Sequence, residues 1–437
     1  ETYYGPGSYM KWIRVGWALA NCTKVHPSKS MMFFTWLKFS SQEPCRNTLQ
    51  DESGKFDWCR VNELYETWRE FDYNNPEGLT NRSIMYWARQ HASAEYEKVR
   101  MSTVHFFIDQ SVITATEFDL ACTLYHMYKH QYVCASIKNN VWYEYSNNRW
   151  REIDSGTHLR KAVSEHMHQE YLNVLARRRQ ELDHMEGLEA NEQRNKVKKL
   201  AEIMLMLKRT NWKNNIMREA RELFYDRDFL QKLDQNPYLL CFSNCVVDFQ
   251  AKCHRKGQPD DYISKCTLIP YTPFCSERDQ LIKKQLDNFM AQLFPNPELR
   301  GYMWEHLASS LVGTTDNQTF NQYTGTGRNG KSGLVKFMEK CLGDYKGTVP
   351  ITLITQKRNS IGSTSSEVAQ LMGIRYAVMQ EPSENDEVNE GILKEITGGD
   401  PIQARALFKD SITFTPQFNL VVTTNHPLTV KSNDDGT

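Results

Sequence analysis

Residues 321–345 read NQYTGTGRNGKSGLVKFMEKCLGDY, and within them Gly325-x-x-x-x-Gly330-Lys331-Ser332 has the spacing of a phosphate-cradling loop. Glycines let such a loop turn its backbone N–H groups inward around a phosphate. The Lys331 ammonium can then neutralise outer phosphate charge, and the Ser332 hydroxyl can hold a magnesium ion. The candidate phosphate-binding residues are Gly325, Thr326, Gly327, Arg328, Asn329, Gly330, Lys331 and Ser332.

Hydrolysis also needs an acid to complete a magnesium site and polarise a water. In IRYAVMQEPSE, residues 376–379 read as a short apolar strand stopped by Pro382, which leaves Glu381 at the strand's carboxyl end. Parallel sheets put their ligands at that end. Gln380 precedes the acid, so a second carboxylate has to come from elsewhere, Glu384 being one source. FNLVVTTNHP reads as another apolar strand, ending in Asn425, whose amide can bond an attacking water or a terminal phosphate or else simply open a turn before Pro427. Between the two strands, ARALFKDSITF reads as a hairpin with Lys409 and Asp410 at its tip and Arg405 beside it. Exposed basic groups in that position suit sequence-independent phosphate contact.

The elements that must position these groups are a strand before the loop and a helix after it. Leu334, Phe337, Met338 and Cys341 recur at helical spacing, and Gly343 can end that helix. The preceding QTFNQYT is more polar than a strand buried on both faces should be. Strands and helices alternate from there to the end, which argues a parallel sheet with crossover helices. Residues 276–316 read as two amphipathic helices broken at Pro295 and Pro297. Residues 1–110 read as a helical, aromatic-rich module whose tryptophans pack a small core. Residues 115–275 form a second unit with helices, a hairpin turning at Asn147-Asn148 and a strand-rich close. Its runs Arg177–Arg179 and Lys196–Lys199 read as solvated helix faces.

Composition narrows the partners. The chain has 437 residues, with 53 basic and 53 acidic side chains. A nucleic-acid binder of zero net charge has to concentrate its basic groups locally. No apolar run approaches the roughly 18 residues of a membrane span, and no signal-peptide pattern opens the chain. Eleven scattered cysteines read as reduced intracellular thiols. Around Cys241, Cys245, Cys253, His254, Cys266 and Cys275 the tight pairs of a zinc site do not occur. The sequence starts at Glu1 and stops at Thr437 without a completed element, and reads as a piece of something longer.

The order GTGRNGKS, then QEP, then NEGILKEITGGDPIQARALFKDSITFTPQFNLVVTTNHP, resembles the superfamily III helicases. More narrowly it is similar to the poxvirus-type helicase-primases of nucleocytoplasmic large DNA viruses, shared with phage and plasmid primase-helicases. LDQNPYLLCFSNCVVDF with GQPDDYISKCT resembles the domain that precedes the helicase core there. WIRVGWALAN, FFTWLKFSS and LYETWREF resemble the primase C-terminal module further upstream.

The resemblance implies an α/β AAA+ P-loop ATPase core preceded by mostly helical and α+β domains. The expected division is 1–110 as the primase C-terminal-like module, 115–275 as a collar-like domain and 276–437 as the helicase domain, with its core at 317–437. It implies a homo-hexameric ring that moves along single-stranded DNA, joined to a primase domain in the longer chain and acting in the host cytoplasm, with no membrane partner. Carried over by position, Lys331 and Ser332 bind ATP and Mg2+, Glu381 is the Walker B acid that shares the metal with Ser332, and Asn425 is the sensor. Lys409, helped by Arg405, sits on the hairpin that grips DNA. The family continues past NDDGT with a Trp-Arg-Arg segment carrying an arginine finger, so this stretch alone is expected to hydrolyse nucleotide weakly. No primase acidic triad appears, and primer synthesis is not expected. The rival readings are a P-loop NTPase of another class, such as a small-molecule kinase, a non-hydrolysing scaffold that assembles the ring and recruits the primase, and an origin-binding initiator, although nothing in residues 1–275 reads as a sequence-specific DNA-binding domain.

Overall fold

A computed structural model describes residues 7–23, 29–42, 55, 57–71, 79–355, 365–380, 387–405 and 411–428. The chain divides into two units, Glu1–Asp109 and Gln110–Thr437.

The first unit is helical: α1 (Tyr9–Cys22), α2 (Lys29–Ser40), α3 (Trp58–Arg69), α4 (Asn81–His91) and most of α5 (Ser93–Thr114). Asp57 starts α3 by accepting the Cys59 and Arg60 N–H groups, which have no partner within the helix. Ile13, Leu19, Phe33, Trp36, Leu37, Trp68 and Phe71 form the core, with the Trp36 and Trp68 rings 5.7 Å apart. Tryptophan is therefore core material here, with two exceptions: Trp17 and Trp58 stand exposed.

The second unit opens with α6 (Glu117–Tyr128) and an antiparallel sheet of β1 (Tyr132–Ser136), β2 (Val141–Ser146) and β3 (Arg149–Ile153). Asn147 and Asn148 both have positive φ, 51° and 66°, as a two-residue turn between twisted strands requires. Next come α7 (Thr157–Ala162), α8 (His168–Leu182), α9 (Leu188–Met206), α10 (Thr210–Leu223) and the single turn α11 (Phe229–Lys232). The basic runs on α8 and α9 have local partners, including Arg177 with Glu181 and Lys196 with Glu192. A small antiparallel sheet follows, built from β4 (Leu239–Cys241), β5 (Val246–Asp248) and β6 (Cys253–Arg255).

Ser276 and Asp279 form a capping box at the start of α12 (Glu277–Leu293), while Asn296 and Pro297 begin α13 (Pro297–Ser309). From there the chain alternates: β7 (Phe320–Thr324), α14 (Lys331–Leu342), β8 (Lys346–Val349), α15 (Thr352–Thr355), α16 (Ser366–Ala369), β9 (Tyr376–Gln380) and α17 (Glu390–Thr397). The antiparallel pair β10 (Ile402–Arg405) and β11 (Ser411–Phe414) leads into β12 (Asn419–Thr424).

Four of these strands form a parallel sheet in the order β7-β12-β9-β8. Its two central strands are apolar almost throughout, as burial on both faces demands: Ala377, Val378, Met379, Leu420, Val421 and Val422 are all inaccessible to solvent. One face packs Tyr376, Val378 and Val421 against Met290, Met303, Leu307, Leu334 and Met338 of α12, α13 and α14. The other packs Ala377, Met379, Leu420 and Val422 against Leu393, Ile396, Ile402, Ala404 and Phe414 of α17 and the β10–β11 pair. The polar character of QTFNQYT has a positional reason: β7 is an edge strand, hydrogen-bonded within the sheet to β12 alone.

The amino end of this sheet is sewn to the segment 234–267. The Arg375 guanidinium donates to the carbonyls of Asn236, Pro237 and Leu239, and Gln417 donates to those of Asp234 and Gln235. The Tyr345 hydroxyl accepts the Cys241 N–H at 3.0 Å, and Arg149 pairs with Asp344.

Candidate functional site

β7 ends at Thr324, six residues make a loop, and α14 begins at Lys331. The loop is fixed at its entrance by Gly325 N–H donating to the Thr424 carbonyl of β12, and it tightens with Gly327 N–H on the Gly325 carbonyl. Gly327, Arg328 and Gly330 have φ values of 91°, 50° and 84°. Backbone of that hand, next to ordinary backbone, makes a concavity lined by N–H groups. No side chain caps the N-terminus of α14, so its first N–H groups and the positive end of its dipole are left for a ligand. The missing side chain at Gly325 leaves room for the Asn329 amide nitrogen, which lies with the Lys331 ammonium on the same side of Gly325.

Lys331 donates to the Gly325 carbonyl and to Asn425 Oδ1, the latter at 3.4 Å. Asn425 is exposed in the bend just after β12, and Ser332 is exposed on the first turn of α14. Three sequence-predicted groups therefore meet at the carboxyl end of the sheet: the loop, Lys331 and Asn425. β9 lies beside β12 with Gln380 opposite Thr423, so the strand that precedes Glu381 ends next to the same place. Glu381 and Glu384 lie outside the described residues, as does Lys409 in the segment joining β10 and β11. Arg405 ends β10, exposed, with its N–H on Ser365 Oγ at 3.1 Å.

Sequence reasoning missed three groups of the sheet and helices that carry this site. Arg375, 2% exposed, holds the start of β9; an arginine entering the apolar run IRYAVM was the available signal. His306 of α13 meets the Tyr323 hydroxyl of β7 at 2.8 Å, and Tyr323 meets the Tyr376 hydroxyl of β9 at 3.3 Å. Burial lowers the His306 pKa and raises that of Tyr323, and it pushes Tyr376 up to about 12. Leu293, at the end of α12, touches the loop at Gly330. Neither of the last two had a local signal.

Residues 121–291 match the model of a family described as D5 N terminal like, and residues 323–437 match a family of unknown function, DUF5906. Over 429 residues the chain is 34% identical to "Putative helicase L207/L206" of Acanthamoeba polyphaga mimivirus, covering 98% of this chain and 42% of that protein. It is 25% identical to "Putative helicase 022R" of Frog virus 3, covering 98% and 51%. It is also 25% identical to "Putative primase C962R" of African swine fever virus (isolate Pig/Kenya/KEN-50/1950), covering 86% and 41%. The chain is a homologue of these viral proteins. It spans about half or less of the length of the relatives it matches. The solved A-form apo C-terminal region of NrS-1 overlaps 34% of the chain at 12% identity with a TM-score of 0.27, too low for a shared fold to be read. In this chain the segment matching the D5 N terminal like model contains β1–β6 and the residues that grip Arg375, Tyr345 and Asp344. No helix among its described residues is long and apolar enough to cross a membrane.

Proposed function

We propose that this chain is part of an ATP-driven DNA helicase of the helicase-primase kind, with an AAA+ P-loop core, that works as a hexameric ring on single-stranded DNA. One observation carries the reading. A glycine loop between a parallel strand and a helix directs Lys331 at Asn425, the residue that follows the neighbouring strand. The homologues' names support the helicase-primase role.

The residues present fit a nucleotide's phosphates. The uncapped α14 N-terminus and the concavity at 327–330 offer backbone donors, and Lys331 offers a cation. In this reading Gly325–Ser332 hold ATP, and Ser332 and Glu381 would hold Mg2+, which would supply charge neutralisation at the phosphates. Lys331 exchanges the Gly325 carbonyl and Asn425 for phosphate oxygens, which frees the Asn425 amide to orient a water or bond the terminal phosphate. Glu381 polarises that water. Arg405, which ends β10, and Lys409, between β10 and β11 in the sequence, contact the DNA backbone without reading sequence. Residues 1–110 then act as a primase C-terminal-like module, 115–275 as a collar and 276–437 as the motor, next to a primase domain at a viral replication site in the host cytoplasm.

The test is binding of a fluorescent ATP analogue and ATP turnover with and without single-stranded DNA. The wild type should bind in a Mg2+-dependent way, Lys331→Ala should not bind, and Lys409→Ala should bind but lose DNA stimulation. Equal nucleotide binding by the wild type and Lys331→Ala would overturn the nucleotide site. Equal DNA stimulation in Lys409→Ala would overturn the hairpin's role.

A further inference from the structure

The loop signature specifies what faces the phosphate and says nothing of what stands behind the loop. In this chain the last residue of α12 packs on Gly330. A Cβ on Gly330 would overlap Leu293 Cδ2, with Leu293 Cγ at 3.6 Å and Cδ1 at 3.9 Å. Its φ of 84° is what asks for glycine at 330, and the absence of a side chain there gives the Leu293 methyl its place.

Leu293 does not arrive there on a loose end. Phe294 N–H closes the last turn of α12 on the Met290 carbonyl at 2.8 Å, and Arg300 of α13 donates to the Phe294 carbonyl at 3.2 Å. Met290 is 1% exposed in the core shared with Leu334, Val335 and Met338 of α14, and the Phe289 ring lies 6.4 Å from that of Phe337. Two helices locked side by side thus bring the end of one against the residue just before the start of the other. Among residues 330–332 Gly330 has the most backbone freedom, since glycine populates both signs of φ. Left alone it would let the N–H groups of 330–332 diverge. A branched side chain packed where a Cβ would be removes those alternatives.

We propose that Leu293 is a positioning residue for the phosphate loop, setting nucleotide affinity by holding Gly330 and the first turn of α14 in the shape that receives phosphate. This rests on the nucleotide reading above for its effect on affinity. Its effect on the loop's order stands without it.

The experiment compares Leu293→Ala, Leu293→Val and Leu293→Met with Leu307→Ala, which removes a buried leucine (4% exposed) from the same core away from the loop. Hydrogen exchange at residues 326–332 is measured without nucleotide, and affinity for a fluorescent ATP analogue is measured with Mg2+. Leu293→Ala should raise loop exchange and weaken the analogue roughly tenfold, the scale of one backbone hydrogen bond to phosphate lost. Leu293→Val should fall between, Leu293→Met should restore both readouts, and Leu307→Ala should lower Tm while leaving both near wild type. Should Leu293→Ala fail to fold, the valine variant still decides. Unchanged loop exchange in Leu293→Val, or an equal change in Leu307→Ala, would overturn the proposal. A wild type that binds no nucleotide would instead sink the nucleotide site, with the exchange arm still reporting on Leu293.

Discussion

At the amino end of the parallel sheet, Arg375 enters β9 almost wholly buried, with its guanidinium on three carbonyls of residues 236–239 and over the Tyr345 ring at 5.7 Å. At the carboxyl end of the same strands, Lys331 rests on one carbonyl and one long contact to an exposed Asn425. The chemistry available is alike, a cation among oxygens, but the settings are opposite. Burial lowers the Arg375 pKa, and its charge is supported there by the converging carbonyl oxygens together with the nearby Tyr345 and Asp234. Lys331 sits at a half-open loop where its partners can be exchanged. One end of the sheet is an anchor to the segment matching the D5 N terminal like model, and the other is built to let go.

Substitutions should separate the two ends. The largest effect belongs to Arg375→Ala, which takes a donor from the carbonyls of Asn236, Pro237 and Leu239, the last of them buried, and empties the space beside Tyr345; the expected loss is about 3 kcal/mol or more, read by urea denaturation. Arg375→Lys should recover little, because an ammonium cannot reproduce the guanidinium's fork. If Arg375→Ala costs less than about 1 kcal/mol, the amino end is not the anchor described.

Lys331→Ala reverses the pattern. Its side chain is half-exposed, so stability should stay within about 0.5 kcal/mol of wild type, while binding of the ATP analogue disappears. A large drop in Tm here would mean that the loop is structural and that the two ends do not differ as argued. Asn425→Ala is a finer probe of the same end. A single neutral hydrogen bond is worth about 0.5–1.5 kcal/mol, so analogue affinity should weaken by no more than about tenfold, with the larger loss in turnover. Turnover unchanged in Asn425→Ala would remove it from the chemistry.

How far the sequence disclosed these ends follows from how local their causes are. The loop at 325–332 was legible because its spacing is its mechanism, and β9 and β12 were legible as apolar runs. The Asn147-Asn148 turn was legible because only a few residue types take positive φ in pairs. The anchor was not, since Arg375 finds its carbonyls 136 to 139 residues away, where no periodicity connects them. Nor was the edge position of β7, which depends on the order in which strands assemble rather than on QTFNQYT itself. Leu293 and Gly330 pair across the turn between α12 and α13 and the whole of β7, which no helical or strand period spans.

Between the two ends runs a line of side chains on the α12–α14 face, and it yields the smallest prediction. His306 stacks with Tyr302 at an interplanar angle of 8° and bonds Tyr323, which in turn bonds Tyr376 beside Arg375. Burial holds the His306 pKa below the ordinary imidazole value of 6.5. The folded state therefore keeps this ring neutral at pH values where the unfolded chain would protonate it. Its contribution to stability is complete above about pH 6.5 and is lost as pH falls toward the lowered value. The steepest loss one such group can cause is about 1.4 kcal/mol per pH unit. His306→Gln keeps a hydrogen-bonding side chain and removes the titration, so the difference in urea stability between wild type and variant should narrow as pH is taken from 7.5 to 5.5. His126 and His168, also lowered by burial, titrate in both proteins and cancel in that difference. A difference that stays constant over the range would show that the His306–Tyr323–Tyr376 line does not depend on a neutral imidazole, and the two ends would then be joined through the strands alone.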